Sequence, residues 1–239
     1  MKIIDAFWEK RNLGVTSVEV VIDQADSIEA IINALEKLDA EYQVVRVPVG
    51  RIDLYELLQK YGFNFIEAMC HPCYELSDFH SPFEEKENDV GYEEITSKEA
   101  LEEIFRYVKD GMFNTDRISL DPHFSTDQST NRYIGMIKDK LDQGAVACSI
   151  VRGENNIGFF VLSKPCSDIF DVVLTGLFPQ YQGKGLGFHI VLQMLNFARD
   201  KGAKLLVSHV SVNNKKSFEL HLKHGFKTAP IEYLFVKHT

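Results

Sequence analysis

The chain has 239 residues, 45% hydrophobic and 26% charged, with a formal net charge of −9. That length suits one large domain or two small ones, and the composition is that of an ordinary soluble globular protein. No run approaches the roughly 18 apolar residues of a membrane span, and the acidic balance argues against a nucleic-acid binder, which needs clustered Lys and Arg.

Met1-Lys2-Ile3-Ile4-Asp5 meets an acid at once and lacks the basic and apolar regions of a signal peptide. A cytoplasmic location is therefore expected. After Phe7 and Trp8 comes a strand-like Ser17–Ile22. A helix follows, capped by Asp26 or Ser27, with Ile28, Ile31, Ile32, Leu35 and Leu38 as its apolar stripe. A strand (Tyr42–Val49), a helix (Ile52–Tyr61) stopped by Gly62, and a strand (Phe65–Leu76) complete this part. Cys70-His71-Pro72-Cys73 lies inside that last strand. It has C-x-x-C spacing, but no second pair supplies four zinc ligands, and the motif does not open a helix as a redox pair would. Two structural thiols are the expectation. The acidic, Pro-containing stretch Phe79–Tyr92 then reads as a domain boundary.

The second part opens with a short strand, Glu93–Ile95. Thr96 and Glu99 form the pattern of a capping box for a helix that turns Leu101, Ile104, Phe105 and Val108 inward. A polar loop runs to about Asp127, and a second helix covers roughly Ser129–Gln143. Strands are expected at Val146–Arg152, Ile157–Leu162 and Phe170–Leu177. Gln182–Gly187 leads into a helix ending near Lys201, followed by a strand (Leu205–Val212), a helix (Ser217–His224) and a strand near Ile231–Val236. Alternating strands and helices imply an α/β or α+β sheet covered by helices.

The chain also echoes itself. Tyr55–Phe63 (YELLQKYGF) matches Phe218–Phe226 (FELHLKHGF), and without a gap Glu41–Leu76 lies over Lys204–Thr239. The counterpart of Gln182–Gly187 is Glu19–Gln24, which has no glycine. The first copy is expected to pack but to offer no phosphate cradle.

Pro179-Gln180-Tyr181-Gln182-Gly183-Lys184-Gly185-Leu186-Gly187 carries the strongest chemical signal. It joins a strand to an amphipathic helix with Ile190, Val191, Met194, Leu195 and Ala198 on one face. Glycines let a backbone turn sharply and approach a ligand. Amides at a helix N-terminus, beside the positive end of the helix dipole, then suit a pyrophosphate. The spacing is not G-x-G-x-x-G, and no Ser or Thr follows the Lys as in a P-loop. A turn that merely reverses the chain is the bland alternative. The string Gln182-x-x-Gly185-x-Gly187 resembles the acetyl-CoA loop of the GNAT acetyltransferase superfamily. Asn214-x-x-Ser217 followed by Gly225-Phe226 resembles that superfamily's second motif.

The resemblance runs from about Tyr92 to the C-terminus. It implies a GNAT fold (α/β or α+β), with a mixed, mostly antiparallel central sheet flanked by helices, in residues 90–239. Residues 1–85 would form a smaller, partial GNAT-like domain before it. It further implies acetyl-CoA as co-substrate, with no metal, and direct attack of an amine on the thioester. Leu177, Gln182, Gly183, Lys184, Gly185, Leu186, Gly187 and Asn214 would hold the CoA. The tyrosine that usually protonates the leaving thiolate is replaced by His221, which either serves the sulfur or simply packs. Tyr181 and Tyr233 are substitute donors, and Asp171 and His209 are candidate bases.

A partial copy before a complete one is similar to the TDP-amino-sugar N-acetyltransferases, the dTDP-fucosamine acetyltransferase group. The Trp8 to Gly14-Val15 stretch and Arg117–Phe124 with Tyr133 echo the same group. A tryptophan usual near Gly135 is absent. By this resemblance Arg117, Asp121, His123 and Tyr133 would bind the acceptor, and Arg117 with Arg132 would meet a sugar-nucleotide diphosphate. A different small or protein amine, or a non-catalytic acyl-CoA-binding role, stays open. Expected partners are acetyl-CoA and a small-molecule amine, without nucleic acid or membrane span; a homodimer is left open.

Overall fold

The computed structural model describes residues 1–77, 79–80, 89–228 and 230–239. The expected boundary at 85–90 falls largely outside them. Two six-stranded sheets carry the chain, and each is mixed but mostly antiparallel.

The first half supplies β1 (Lys2–Asp5), α1 (Trp8–Leu13), β2 (Ser17–Val21), α2 (Ile28–Leu35), β3 (Tyr42–Pro48), α3 (Asp53–Lys60), β4 (Asn64–Cys70) and β5 (Cys73–Glu75). Ser27 caps α2 by accepting the Ala30 N–H. The second half supplies β6 (Val90–Glu94), α4 (Lys98–Lys109), α5 (Arg117–Leu120), α6 (Thr126–Asp142), β7 (Val146–Arg152), β8 (Asn155–Cys166), β9 (Ile169–Leu177), α7 (Gly187–Asp200), β10 (Leu205–Val207), β11 (Val210–Ser211), α8 (Lys215–Lys223) and β12 (Ile231–His238). The α4 cap is Ser97, which accepts the Ala100 N–H, one residue beyond the expected Thr96. The full capping box belongs to α6, where Ser125 and Gln128 serve each other's backbone.

Sheet membership does not follow the two halves. The first sheet runs β1-β2-β3-β12-β4-β11, so a strand from the C-terminal end sits between β3 and β4. The second runs β5-β10-β9-β8-β7-β6. Two expected strands are each broken into two. Phe65–Leu76 divides at His71-Pro72, where proline cannot donate a ladder hydrogen bond, and β4 stays in the first sheet while β5 crosses to the second. Leu205–Val212 divides at Ser208-His209 in the same way. The C-x-x-C stretch is thus a crossing between sheets. Cys70 is buried, Cys73 half-buried, and no disulfide joins them.

The large core lies between α7 and the second sheet and includes Leu162, Phe170, Leu192, Met194, Phe197 and Leu206. A second core sits under α2 and α3. A third fills the space beneath α4 and α6. Gly135 packs on Asn12 of α1, so close that a Cβ there would collide with its side chain. That face of α6 is therefore an inter-helix contact. At Gly158 a Cβ would run into the carbonyl oxygen of Gly176 on β9. Gly158→Ala is expected to destabilise the chain by about 1–3 kcal/mol, as overpacking against backbone does. Urea unfolding checks this; an unchanged midpoint would mean that β8 and β9 can separate freely there.

Candidate active site

The two sheets part where β9 and β10 diverge. These strands pair in parallel over three residues, Leu205–Ile169, Leu206–Phe170 and Val207–Asp171. β10 then ends and the chain crosses to the other sheet as β11, leaving the rest of β9 without a neighbour on that side. The crevice has an outer chamber of about 610 Å³, lined by Gly176, Leu177, Gln182 and Gly183 among others. It has an inner chamber of about 230 Å³, lined by residues that include Glu67, Asp116, Arg117, Tyr133 and His209. Thr175, Asn214, Ser217 and His221 line both. The Phe178 N–H bonds to the Ile157 carbonyl, so Leu177, opposite Gly158, occupies a non-hydrogen-bonded ladder position. Its N–H and C=O therefore point away from β8, toward the crevice. The C=O accepts from Gln182 Nε2 at 3.1 Å.

The glycine loop has bare amides. Gln182 N–H still bonds back to Pro179. Among the described residues, the N–H groups of Gly183, Lys184, Gly185, Leu186 and Gly187 have no backbone or side-chain acceptor. Gly183 (φ 72°) and Gly185 (φ 78°) are in the left-handed region, and nothing lies within 4 Å of where a Cβ would stand. Their conformation, not crowding, requires glycine. Gly187 is different, since a Cβ there would meet Leu220 of α8 at 2.9 Å. The Leu186 side chain is part of the large core, and Lys184 Nζ lies over the Tyr181 ring at 5.7 Å. Five unsatisfied donors at the N-terminus of a 14-residue helix make an anion site.

His221 is 1% exposed at the junction of the chambers. Its Nδ1 lies 2.8 Å from the Ser217 carbonyl oxygen, which can only accept. Nδ1 therefore carries the proton. Burial pushes the imidazole pKa below its ordinary value, so the ring is neutral and Nε2 presents a lone pair. That Nε2 is buried and has no partner. The expected proton donor thus faces the crevice as an acceptor. Tyr181 packs against the cores and does not line either chamber. Tyr233 packs on Phe65 on the opposite face of the first sheet. Asp171 accepts from His209 Nε2 at 2.6 Å, and His209 Nδ1 lies 2.7 Å from His71 Nδ1. The Asp171 carboxylate is thereby tied to His209.

The first half contributes Arg46, Glu67 and Met69 to the inner chamber and the partners of its arginines. Arg117 is 4% exposed; its guanidinium pairs with Glu19 of β2 and lies 3.6 Å from Glu9. Arg132 donates to Glu9 at 2.8 Å and lies 3.5 Å from Asp116. Burial alone would raise the Glu19 pKa, but Arg117 and Arg46 outweigh it and hold it at about 2. Both arginines expected to meet a diphosphate are committed to carboxylates. Tyr133 lines the chamber, but Asp121 and His123 do not. The Asp121 carboxylate bridges His123 (3.0 Å) and His238 (2.8 Å) at the end of β12. The sequence reading missed Glu67, Asp116, Glu9, Glu19 and Arg46. For Glu19 and Glu67 the signal was a lone acid in a strand, as in Ser17-Val18-Glu19-Val20-Val21.

The parallel strands of the first half do not part as β9 and β10 do. β2 and β3 stay paired in parallel from Ser17–Tyr42 to Val21–Arg46. The loop after β2 holds Asp23 and Asp26, both paired with the N-terminal ammonium. Carboxylates there repel a phosphate.

No curated protein matches this sequence. The chain is similar in fold to a GCN5-related N-acetyltransferase from Sphaerobacter thermophilus (TM-score 0.66, 10% identity, covering 99% of this chain and 75% of that one). It is also similar to a functionally unknown conserved protein from Staphylococcus epidermidis (0.62, 12%, 94% and 85%). A third is a tandem GNAT protein from the clavulanic acid biosynthesis pathway (0.57, 14%, 93% and 75%). The sequence model of the acetyltransferase (GNAT) family matches residues 92–226, which contain the glycine loop, the splayed strands and α8. The chain therefore belongs to the acetyltransferase (GNAT) family and is an acetyl-CoA-dependent N-acetyltransferase.

Proposed function

We propose that this enzyme acetylates a small cationic primary amine by direct attack, with the CoA pyrophosphate on the amides of residues 183–187. The bare amides carry this reading. Acetyl-CoA supplies an activated thioester. The Leu177 N–H, turned into the crevice, is placed to polarise its carbonyl and stabilise the oxyanion. Neighbouring chambers hold the two reactants together, which contributes much of the rate. As the new C–N bond forms, His221 Nε2 accepts the amine proton, while Nδ1–H on Ser217 fixes the ring. As the C–S bond breaks, the same imidazolium returns that proton to the departing sulfur. Asn214 caps α8 by accepting the Ser217 N–H and so holds this carbonyl-bearing turn.

A nucleotide-linked amino sugar, which the sequence resemblance suggests, brings a diphosphate of its own. It would need cations in the inner chamber, and Arg117 and Arg132 are spent on Glu9, Glu19 and Asp116. A compact amine fits this balance better. Free-thiol release from acetyl-CoA, screened over small amines and TDP-amino sugars, tests the reading; no turnover on any amine would sink it.

His221→Gln is expected to lower kcat about a hundredfold, the usual scale for losing a proton-transfer group. Acetyl-CoA affinity should hold. The acid limb of the kcat/KM profile should lie below the ordinary histidine range in the wild type, because only the neutral ring accepts a proton. It should vanish in the variant. A profile unchanged by the substitution removes His221 from proton transfer.

A further inference from the structure

Two buried carboxylate oxygens at the inner chamber have no hydrogen-bond partner. Glu67, on β4, is fully buried. Its Oε1 accepts the Arg117 backbone N–H at 3.0 Å, but Oε2 has no hydrogen-bond partner. Burial pushes the Glu67 carboxyl pKa up, and the nearby Ser211 hydroxyl pulls it the other way. Asp116 Oδ1 is used as the α5 cap, accepting from Ser119. Its Oδ2 is buried, has no hydrogen bond, and meets Arg132 only at 3.5 Å. The two carboxylates are near enough to repel one another. A buried carboxylate oxygen with no donor is costly, and two beside each other more so.

Among the described residues the cations around them are shared: Arg132 divides itself between Glu9 and Asp116. The Arg117 guanidinium pairs with Glu19 and Glu9, and its Nε has no hydrogen-bond partner. Arg46 is shared between Glu19 and Glu232. Glu67 and Asp116 line the inner chamber only, whereas His221 and Thr175 line both. The reacting nitrogen belongs beside His221, so the acidic pair faces another part of the acceptor.

We infer that Glu67 and Asp116 form a binding site for a second ammonium group, which makes the acceptor a diamine or a longer polyamine. This rests on the acyl-transfer reading of the crevice and adds the acceptor's chemical class. One amine, neutral when it reacts, is acetylated at the chamber junction. The other stays charged between the Glu67 and Asp116 carboxylates and fixes which end of the molecule enters first.

The test compares diaminobutane, aminobutanol and butylamine as acceptors in a thiol-release assay, with a ladder from diaminopropane to diaminohexane to find the best span. The expected result is a kcat/KM for the best diamine at least about tenfold above the monoamine and amino alcohol of the same length, equivalent to about 1.4 kcal/mol. Glu67→Gln and, separately, Asp116→Asn should each collapse that ratio toward one. Asp116→Asn keeps the Oδ1 cap, so it guards against a folding defect in the other variant. The acetyl-CoA-induced thermal shift, measured on every protein, separates the two readings. Loss of that shift in the wild type defeats the acyl-transfer assignment. A normal shift with equal use of diamine and monoamine, or a ratio untouched by both substitutions, overturns the diamine site alone.

Discussion

Acetyl-CoA is expected to raise the melting temperature of the wild-type enzyme and to leave that of Gly185→Asp unchanged. A ligand that binds only the native state stabilises it by about 2.7 kcal/mol at a hundred times its Kd. For a chain of this size that is a rise of roughly 5–10 °C. Gly185 has φ 78° and a free amide in the middle of the anion site. Aspartate there is strained by about 1–2 kcal/mol and sets a negative charge against the pyrophosphate. The variant's own melting point should therefore fall, and the informative quantity is each protein's shift on adding ligand. Scanning fluorimetry with and without acetyl-CoA measures it. A shift of equal size in both proteins would mean that the loop amides do not bind the diphosphate.

Arg117→Leu should cost about 3–5 kcal/mol at neutral pH, the scale of removing one member of a buried ion cluster. Without the guanidinium, Glu19 and Glu9 remain in the interior facing each other's charge, with Arg132 and Arg46 to share. The wild-type pH dependence carries the same signature. Glu19 titrates at about 2 in the folded chain against an ordinary 4.5. The unfolded chain therefore binds more protons across that interval. Glu19's contribution is complete above about 4.5 and is lost as the pH falls toward 2. Urea unfolding from neutral to acid pH should show this acid loss in the wild type and a flatter curve in Arg117→Leu. Adding Glu19→Gln to Arg117→Leu should restore part of the stability. If Arg117→Leu unfolds at the wild-type urea concentration, the cluster is not structural.

What the sequence made legible was local. The glycine loop and the stripe of α7 depend on residues a few positions apart, and each lies where its pattern predicts. The strand divisions at His71-Pro72 and Ser208-His209 were not legible, because continuous apolar patterning looks the same whether a strand stays in one sheet or crosses to another. Pro72 was the available clue. The partners of Arg117 were not legible for a related reason. From sequence it is a cation in a polar loop, and its partners Glu9 and Glu19 lie about a hundred residues earlier. His221 shows the subtler limit. Its replacement of tyrosine was visible, but which nitrogen holds the proton depends on the Ser217 carbonyl, one helical turn back.

The placement of β12 bears on how the molecule is made. On the ribosome β3 and β4 emerge early, yet the strand that belongs between them is translated only after most of the chain has followed. Until then both present open hydrogen-bonding edges, which invite pairing with other nascent chains. The first half is therefore a template that waits for β12, and the inner chamber, to which it contributes Arg46, Glu67 and Met69, closes only after the strands that follow it have been made.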